Sequence, residues 1–395
     1  MTEQTFDVLV VGGGVIGSSA AFFLSSLPEA RGSMIGVVEP DPTYARSSTA
    51  LSVGGIRQQF STPENILLSL FTAEFIRDSL DRLAIHGSPP DVGFVEGGYL
   101  FLATESGVAT LAENHAVQTC LGAEIALLDR TALKTRYPWM ETTDLAGGSV
   151  GLEGEGWIDP YSLLQAFRKK AVDQGVVYLR DRVVGIEVEA QRVRGVRLEG
   201  GGRAPVGSLI NAAGPRAREV AAMAGIPGLP VRSRKRFVYR VRCQDGPSDA
   251  PLTIDPSGVY FRPEGPDFLC GVSPDEHRDP DTYDLDMEYE LFEESVWPTL
   301  AHRVPAFEAL KLGSSWAGHY AVNTLDQNAI LGPHPSLLNF FFANGFSGHG
   351  LQHAPGIGRA LSELIVHGEY RSIDLERFGF RRLSTGDLIR ERNVV

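Results

Sequence analysis

A chain of 395 residues, 43% of them hydrophobic, can bury a large core, and its length suits two domains better than one. The net charge of −13, from 36 Lys and Arg against 49 Asp and Glu, argues against nucleic acid and anionic membrane surfaces as partners. The 3 cysteines, Cys120, Cys243 and Cys270, form no CxxC pair, so neither a disulfide framework nor a zinc site is expected, and no other metal cluster stands out.

The opening stretch lacks the basic, apolar and small-residue order of a secretory signal, and no window approaches the roughly 20 apolar residues of a transmembrane helix. A cytoplasmic location is the expectation. Residues 8–11 (VLVV) form a continuous aliphatic run, which predicts a central parallel strand. Gly12-Gly13-Gly14-Val15-Ile16-Gly17 follows as a G-x-G-x-x-G match, then an apolar helix over 18–27 and a second strand over 35–38 that ends on Glu39. Each part has a physical task. Gly12 permits the tight turn, Gly14 lets backbone approach a pyrophosphate, and Gly17 lets helix and strand pack closely. The helix N-terminus, with Val15 and Ile16 leading into it, offers free N–H groups and a positive dipole end to phosphate. Glu39, about 20 residues beyond the glycines, is placed to accept hydrogen bonds from a ribose hydroxyl. This pattern predicts a dinucleotide and leaves FAD and NAD both open.

Beyond it, residues 46–49 (RSST) offer hydroxyls for the pyrophosphate, with Ser48, Thr49 and the nearby Ser52 as candidates. A strand is expected at 174–180, an antiparallel meander from Val183 through 198, a glycine turn at 200–202, and a strand that ends in Ala213-Gly214. That antiparallel insertion is unlike a plain NAD dehydrogenase. Strands are also expected at 236–242, 259–262 and 268–272, the second carrying Tyr260 as a candidate pocket residue. Near the C-terminus an aromatic strand (340–343) leads through Gly345, Gly348, His349 and Gly350 into a helix over 351–367 that begins at Leu351. Such glycines between strand and helix mark a close backbone approach, and the helix N-terminus can stabilise negative charge on a reduced flavin.

Five stretches carry a resemblance: VVGGGVIGSSAAFFL (10–24), GWIDPYSLL (156–164), LINAAG (209–214), NTLDQNAILGPHP (323–335) and ANGFSGHGLQHAPGIG (343–358). Together they resemble the D-amino-acid-oxidase-like superfamily of FAD enzymes, and within it the glycine oxidase, sarcosine oxidase and amino-acid dehydrogenase branch. The resemblance implies noncovalent FAD and an α/β fold. A Rossmann-like FAD-binding domain with a parallel sheet and antiparallel crossover would comprise 1–88, 152–230 and 325–395. An interleaved α+β substrate domain with an antiparallel sheet would comprise 89–151 and 231–324.

The resemblance also implies roles. Arg57 aligns with an arginine that pairs with a substrate carboxylate, a task suited to the bidentate guanidinium. Gln352, beside His353, stands where sarcosine oxidases carry a carboxylate-gripping lysine, and is expected to touch both substrate and cofactor. His319 stands where those enzymes carry a flavin-linked cysteine, and is expected as a base near the flavin or, less readily, as a covalent attachment. Leu269 falls where oxidases place an oxygen-activating lysine, and no lysine occurs between Lys235 and Lys311. The expected activity is hydride transfer from the C–N bond of a small amino acid or secondary amine to FAD, as a dehydrogenase more than an oxidase. The electron acceptor stays open between a quinone, a carrier protein and O2. The alternatives are a hydroxy-acid dehydrogenase and, because STALSVGGIRQQFS (48–61) is also similar to FAD-dependent oxidoreductase-domain proteins linked to respiratory complex I assembly, a flavin-bound assembly factor.

Overall fold

The computed structural model describes residues 4–392. Its first sheet is built around Phe6–Val11, whose aliphatic residues are buried on both faces. Ile35–Val38 pairs with it in parallel on one side and Arg203–Asn211 on the other. Val177–Leu179 and Leu337–Asn344 extend the sheet outward in parallel. The edge strand Ile330–His334 and the meander Val183–Glu189 and Arg192–Leu198 are antiparallel. The first helix, Val15–Ser26, starts three residues earlier than the sequence pattern suggests, because Gly14 already serves as its N-cap. It packs on the C-terminal helix Gly350–His367, where a Cβ on Gly358 would lie 2.2 Å from Ser19 Oγ. Glycine is therefore needed for these two helices to touch, and Ser19 Oγ donates to Ala354 O at 2.7 Å across the contact.

The second sheet runs in the order Lys311–Asn323, Val231–Arg242, Asp267–Gly271, Tyr260–Glu264, Leu252–Ile254, Tyr99–Ala103, Gly147–Gly151, Ile125–Asp129. It is antiparallel except at one place. Leu252–Ile254 and Tyr99–Ala103 pair in parallel, and there the chain segments before and after the cofactor half join. Every strand of the first sheet lies within 1–88, 152–230 or 325–395, and every strand of the second within 89–151 or 231–324.

A third, two-stranded ladder matters most for the site. Gly55–Ile56 pairs antiparallel with Gly156–Trp157, with Gly55 opposite Trp157 and Ile56 opposite Gly156. A Cβ on Gly54 would lie 2.1 Å from Ile158 O, and one on Gly156 1.9 Å from Val95 O. Both residues have positive φ, so both need glycine. Carrying the register one residue further sets Arg57 across from Glu155.

Candidate active site

At the carboxyl ends of the first sheet's parallel strands lies a cavity of about 450 Å³. Gly12, Gly14, Val15, Ile16, Glu39, Ser48, Thr49, Ser52, Val183, Ala213, Gly214, Gly348, Gly350 and Leu351 all line it, as does His319. Gly12 has φ 102°, and its Cβ would meet Ala212 O at 2.5 Å. Glu39 accepts from the N–H groups of Gly13 at 2.8 Å and Asp41 at 3.0 Å. Its burial raises the carboxyl pKa, against the pull of those two bonds. Thr49 Oγ1 accepts the Val15 N–H at 3.2 Å and so braces the start of the first helix.

Four expected cofactor residues do not line this cavity. Gly17 serves packing, since its Cβ would fall 1.9 Å from Gly12 O. Gly345, at φ 70°, forms the turn after Leu337–Asn344. His349 and Gln352 face Arg57 instead. Gln352 Oε1 accepts the Arg57 backbone N–H at 2.9 Å, so its carbonyl holds the anchor segment. The sequence reading missed Tyr44, Phe346 and Tyr320 in the lining.

The second part of the site centres on Arg57, which is 4% exposed. Its guanidinium lies 4.3 Å from the Phe60 ring centroid, 5.1 Å from that of Phe101 and 6.0 Å from that of Tyr99. Nη1 donates to Gln59 O at 3.4 Å, and Nη2 lies 3.2 Å from His349 Nε2. Burial and the Arg57 charge press the His349 pKa down to about 3, and His353 is depressed for the same reasons, so both imidazoles are neutral. Among the described residues no carboxylate forms an ion pair with Arg57.

Three tyrosines gather near Arg57. Tyr99, Tyr260 and Tyr320 lie within electrostatic reach of one another, and Tyr99 and Tyr320 within reach of Arg57. Each lies against a glycine. A Cβ would meet the Tyr99 hydroxyl at 3.1 Å from Gly55, the Tyr260 hydroxyl at 2.8 Å from Gly271, and the Tyr320 ring at 2.5 Å from Gly348. Burial raises all three phenol pKa values, so they are neutral donors. Among the described residues none of the three hydroxyls has a hydrogen-bond partner. Tyr320 also lines the cofactor cavity and so joins the two parts of the site. Neither Tyr99 nor Tyr320 carries a local motif; the fold brings them in from separate strands.

His319, on Lys311–Asn323, bonds through Nε2 to Asp284 O at 2.8 Å. A carbonyl only accepts, so that nitrogen carries the proton. Burial first, and the Arg46 charge, lower its pKa and keep it neutral. Leu269 is 3% exposed and pairs with Arg262. Its neighbours Phe268 and Cys270 enter the core of the second sheet, so by alternation Leu269 shares the other face with Tyr260 and Arg262. Arg262 donates from that face to Val53 O, on the chain leading into Arg57.

The residues present fit an FAD. The Ser48 Oγ lines the cavity, buried and without a partner among the described residues, as a polar group awaiting a ligand does. A Cβ on Gly14 would meet nothing closer than Thr49 Oγ1 at 3.5 Å, which leaves backbone open to a diphosphate.

The comparisons agree. The family model described as FAD dependent oxidoreductase matches residues 7–364. The FAD-dependent oxidoreductase domain-containing protein 1 of Xenopus laevis is 45% identical, over 100% of this chain and 86% of its own length. Dimethylglycine dehydrogenase of Homo sapiens is 25% identical over 92% of this chain and 43% of that protein. Among solved structures, L-proline dehydrogenase from P. horikoshii superposes with a TM-score of 0.87 at 26% identity, covering 98% of this chain and 100% of that one. Glycine oxidase from Geobacillus kaustophilus shares the fold, with a TM-score of 0.80 at 23% identity over 95% and 98% of the two chains. With the cofactor cradle and these matches together, the chain belongs to the family of FAD-dependent oxidoreductases.

Proposed function

We propose that this flavoenzyme oxidises the C–N bond of a small amine that carries a carboxylate, an amino acid or an N-alkyl amino acid. The observation that carries this reading is the buried Arg57 guanidinium without an ionic partner among the described residues. A buried guanidinium with no carboxylate in contact is costly, and a substrate carboxylate that docks on it relieves that cost. The rings of Phe60, Phe101 and Tyr99 exclude water around it, which strengthens the pairing.

Bound FAD supplies the acceptor for a hydride. The chain's own part is to hold and orient. Arg57 fixes the carboxylate, Gln352 and Glu155 fix the segment that carries Arg57, and the tyrosine hydroxyls offer neutral donors. Hydride leaves the carbon only from the neutral amine, so the ammonium proton is given up to solvent before the substrate docks. The test is a pairwise comparison of reductive half-reactions. An N-methyl amino acid should reduce the flavin at least about a hundredfold faster than the same amine without its carboxylate, the scale of a lost charge-paired contact. Equal rates would overturn the reading.

A second reading, a noncatalytic flavin-bound assembly role, draws support from the resemblance carried by residues 48–61. It predicts no flavin reduction by any amine, whereas the partnerless Arg57 favours catalysis.

A further inference from the structure

Glu155 is 0% exposed, and holding the segment that carries Arg57 uses its hydrogen bonds but not its charge. It sits between two glycines, Gly154 and Gly156, at the end of the short ladder that holds Gly55–Ile56. Its two oxygens are spent on the anchor segment. Oε1 accepts the Gln58 backbone N–H, and Oε2 accepts from Gln59 Nε2 at 2.8 Å. Gln59 is held in turn by Tyr99 O, to which Nε2 also donates at 2.9 Å, and by the Ser149 hydroxyl, which donates to its Oε1 at 2.6 Å. Arg57, Gln58 and Gln59 are thus fixed by Gln352 from the cofactor side and by Glu155 from the other.

Taking the Arg57 anchor of the preceding section as its basis, we propose that Glu155 is a positioning residue that serves as the resident counter-charge of Arg57, and that it takes up a proton from solvent when a ligand carboxylate docks on the guanidinium.

Two opposite charges that are both buried stabilise each other without touching. Burial pushes the Glu155 carboxyl up to about 7, while the Arg57 charge and the bonds from Gln58 and Gln59 pull it down. A carboxylate arriving on Arg57 cancels the guanidinium's share of that pull. The Glu155 carboxyl then rises further and gains a proton. The other groups that bear on Arg57 do not compete for it. His349 and His353 are depressed mainly by burial and stay far below neutrality. Tyr99 and Tyr320 are raised and keep their protons throughout. Of these described groups, Glu155 is the one whose charge changes around neutral pH.

The test is calorimetry of benzoate binding to the FAD-loaded protein at pH 7 to 8, in two buffers of different ionisation enthalpy. Wild-type protein should take up a fraction of a proton per benzoate, and the affinity should fall by up to about tenfold per pH unit above pH 7. Benzamide, the uncharged analogue, should cause no uptake. Glu155→Gln should bind benzoate with no proton uptake and a flat pH dependence. The wild-type measurement needs no variant to fold. Benzoate binding that is lost in Arg57→Ala but releases or takes up no proton in wild type would overturn the coupling and leave the anchor standing. Benzoate binding indifferent to Arg57→Ala would overturn the anchor, and the coupling with it.

Discussion

Arg57 Nη2 lies 3.2 Å from His349 Nε2, beside the Phe60 ring. A guanidinium carries donors only, so His349 is the acceptor and holds its proton on Nδ1. The bond orients the guanidinium without neutralising it, which leaves the charge for a ligand. Arg57→Ala is therefore expected to weaken carboxylate binding by roughly 2–5 kcal/mol, the scale for breaking a buried charge pair. Titration of flavin absorbance with benzoate reads this directly, and an unchanged affinity would remove Arg57 from the substrate contact.

Gln352 gives a prediction of the opposite kind. Its side-chain carbonyl accepts the buried Arg57 N–H, so Gln352→Leu leaves that donor without an acceptor. The expected cost is about 1–3 kcal/mol of folding stability, measured by urea unfolding. Unchanged stability together with lost carboxylate binding would make Gln352 a substrate ligand after all.

The cofactor should be held without a covalent bond. His319 lines the cavity, but its Nε2–H is committed to Asp284 O. Acid precipitation should release the flavin into the supernatant. Flavin that stays with the precipitated chain would contradict this and point to His319.

Reaction with oxygen should be slow. The cations on Val231–Arg242 nearest Tyr320 and His319 are already paired: Lys235 with Asp284 and Glu288, Arg236 with Asp279. Leu269 supplies no charge, and Arg262 on the same face is committed to Glu264 and Val53 O. A free cation there could contribute roughly 3 kcal/mol, about a hundredfold in rate. In stopped-flow mixing, the reduced flavin should persist in aerated buffer and lose its electrons rapidly to a quinone analogue. Reoxidation by air at the rate of turnover, with hydrogen peroxide formed one for one, would make the protein an oxidase.

Burial of Glu155 also links stability to pH. Its carboxyl sits at about 7 in the fold against an ordinary value of 4.5, so the folded chain binds more protons between those values. This contribution is full below 4.5 and is lost as pH rises through about 7, a change of roughly 3 kcal/mol. Glu155→Gln should flatten that part of the stability profile in urea unfolding at pH 5 and pH 8. An equal slope in the variant would place the titration elsewhere.

The cofactor half was legible because its signals are local. A buried strand, three glycines, a helix and an acid follow one another within 39 residues, and the structure gathers them around one cavity. The glycines between Leu337–Asn344 and the C-terminal helix were legible too, although Gly345 shapes a turn and His349 faces Arg57. The rest depends on pairing between distant segments. Nothing near Glu155 in sequence says that Gly156 pairs with Ile56, and without that pairing the acid reads as one more loop carboxylate. Tyr99 and Tyr320 sit on strands whose alternation predicts a face but not which face meets Arg57. The parallel pair of Leu252–Ile254 with Tyr99–Ala103 escaped for the same reason, since short strands do not announce their partners.

The central claim, oxidation of an amine that carries a carboxylate, is tested most directly by anaerobic mixing of the FAD-loaded protein with matched amino acids, N-methyl amino acids and 2-hydroxy acids while flavin absorbance is followed. The account predicts bleaching by at least one amine of the set, none by the hydroxy acid of the same carbon skeleton, and loss of bleaching in Arg57→Ala. Bleaching by the hydroxy acids alone, or a flavin that no amine reduces while dithionite still does, would contradict it.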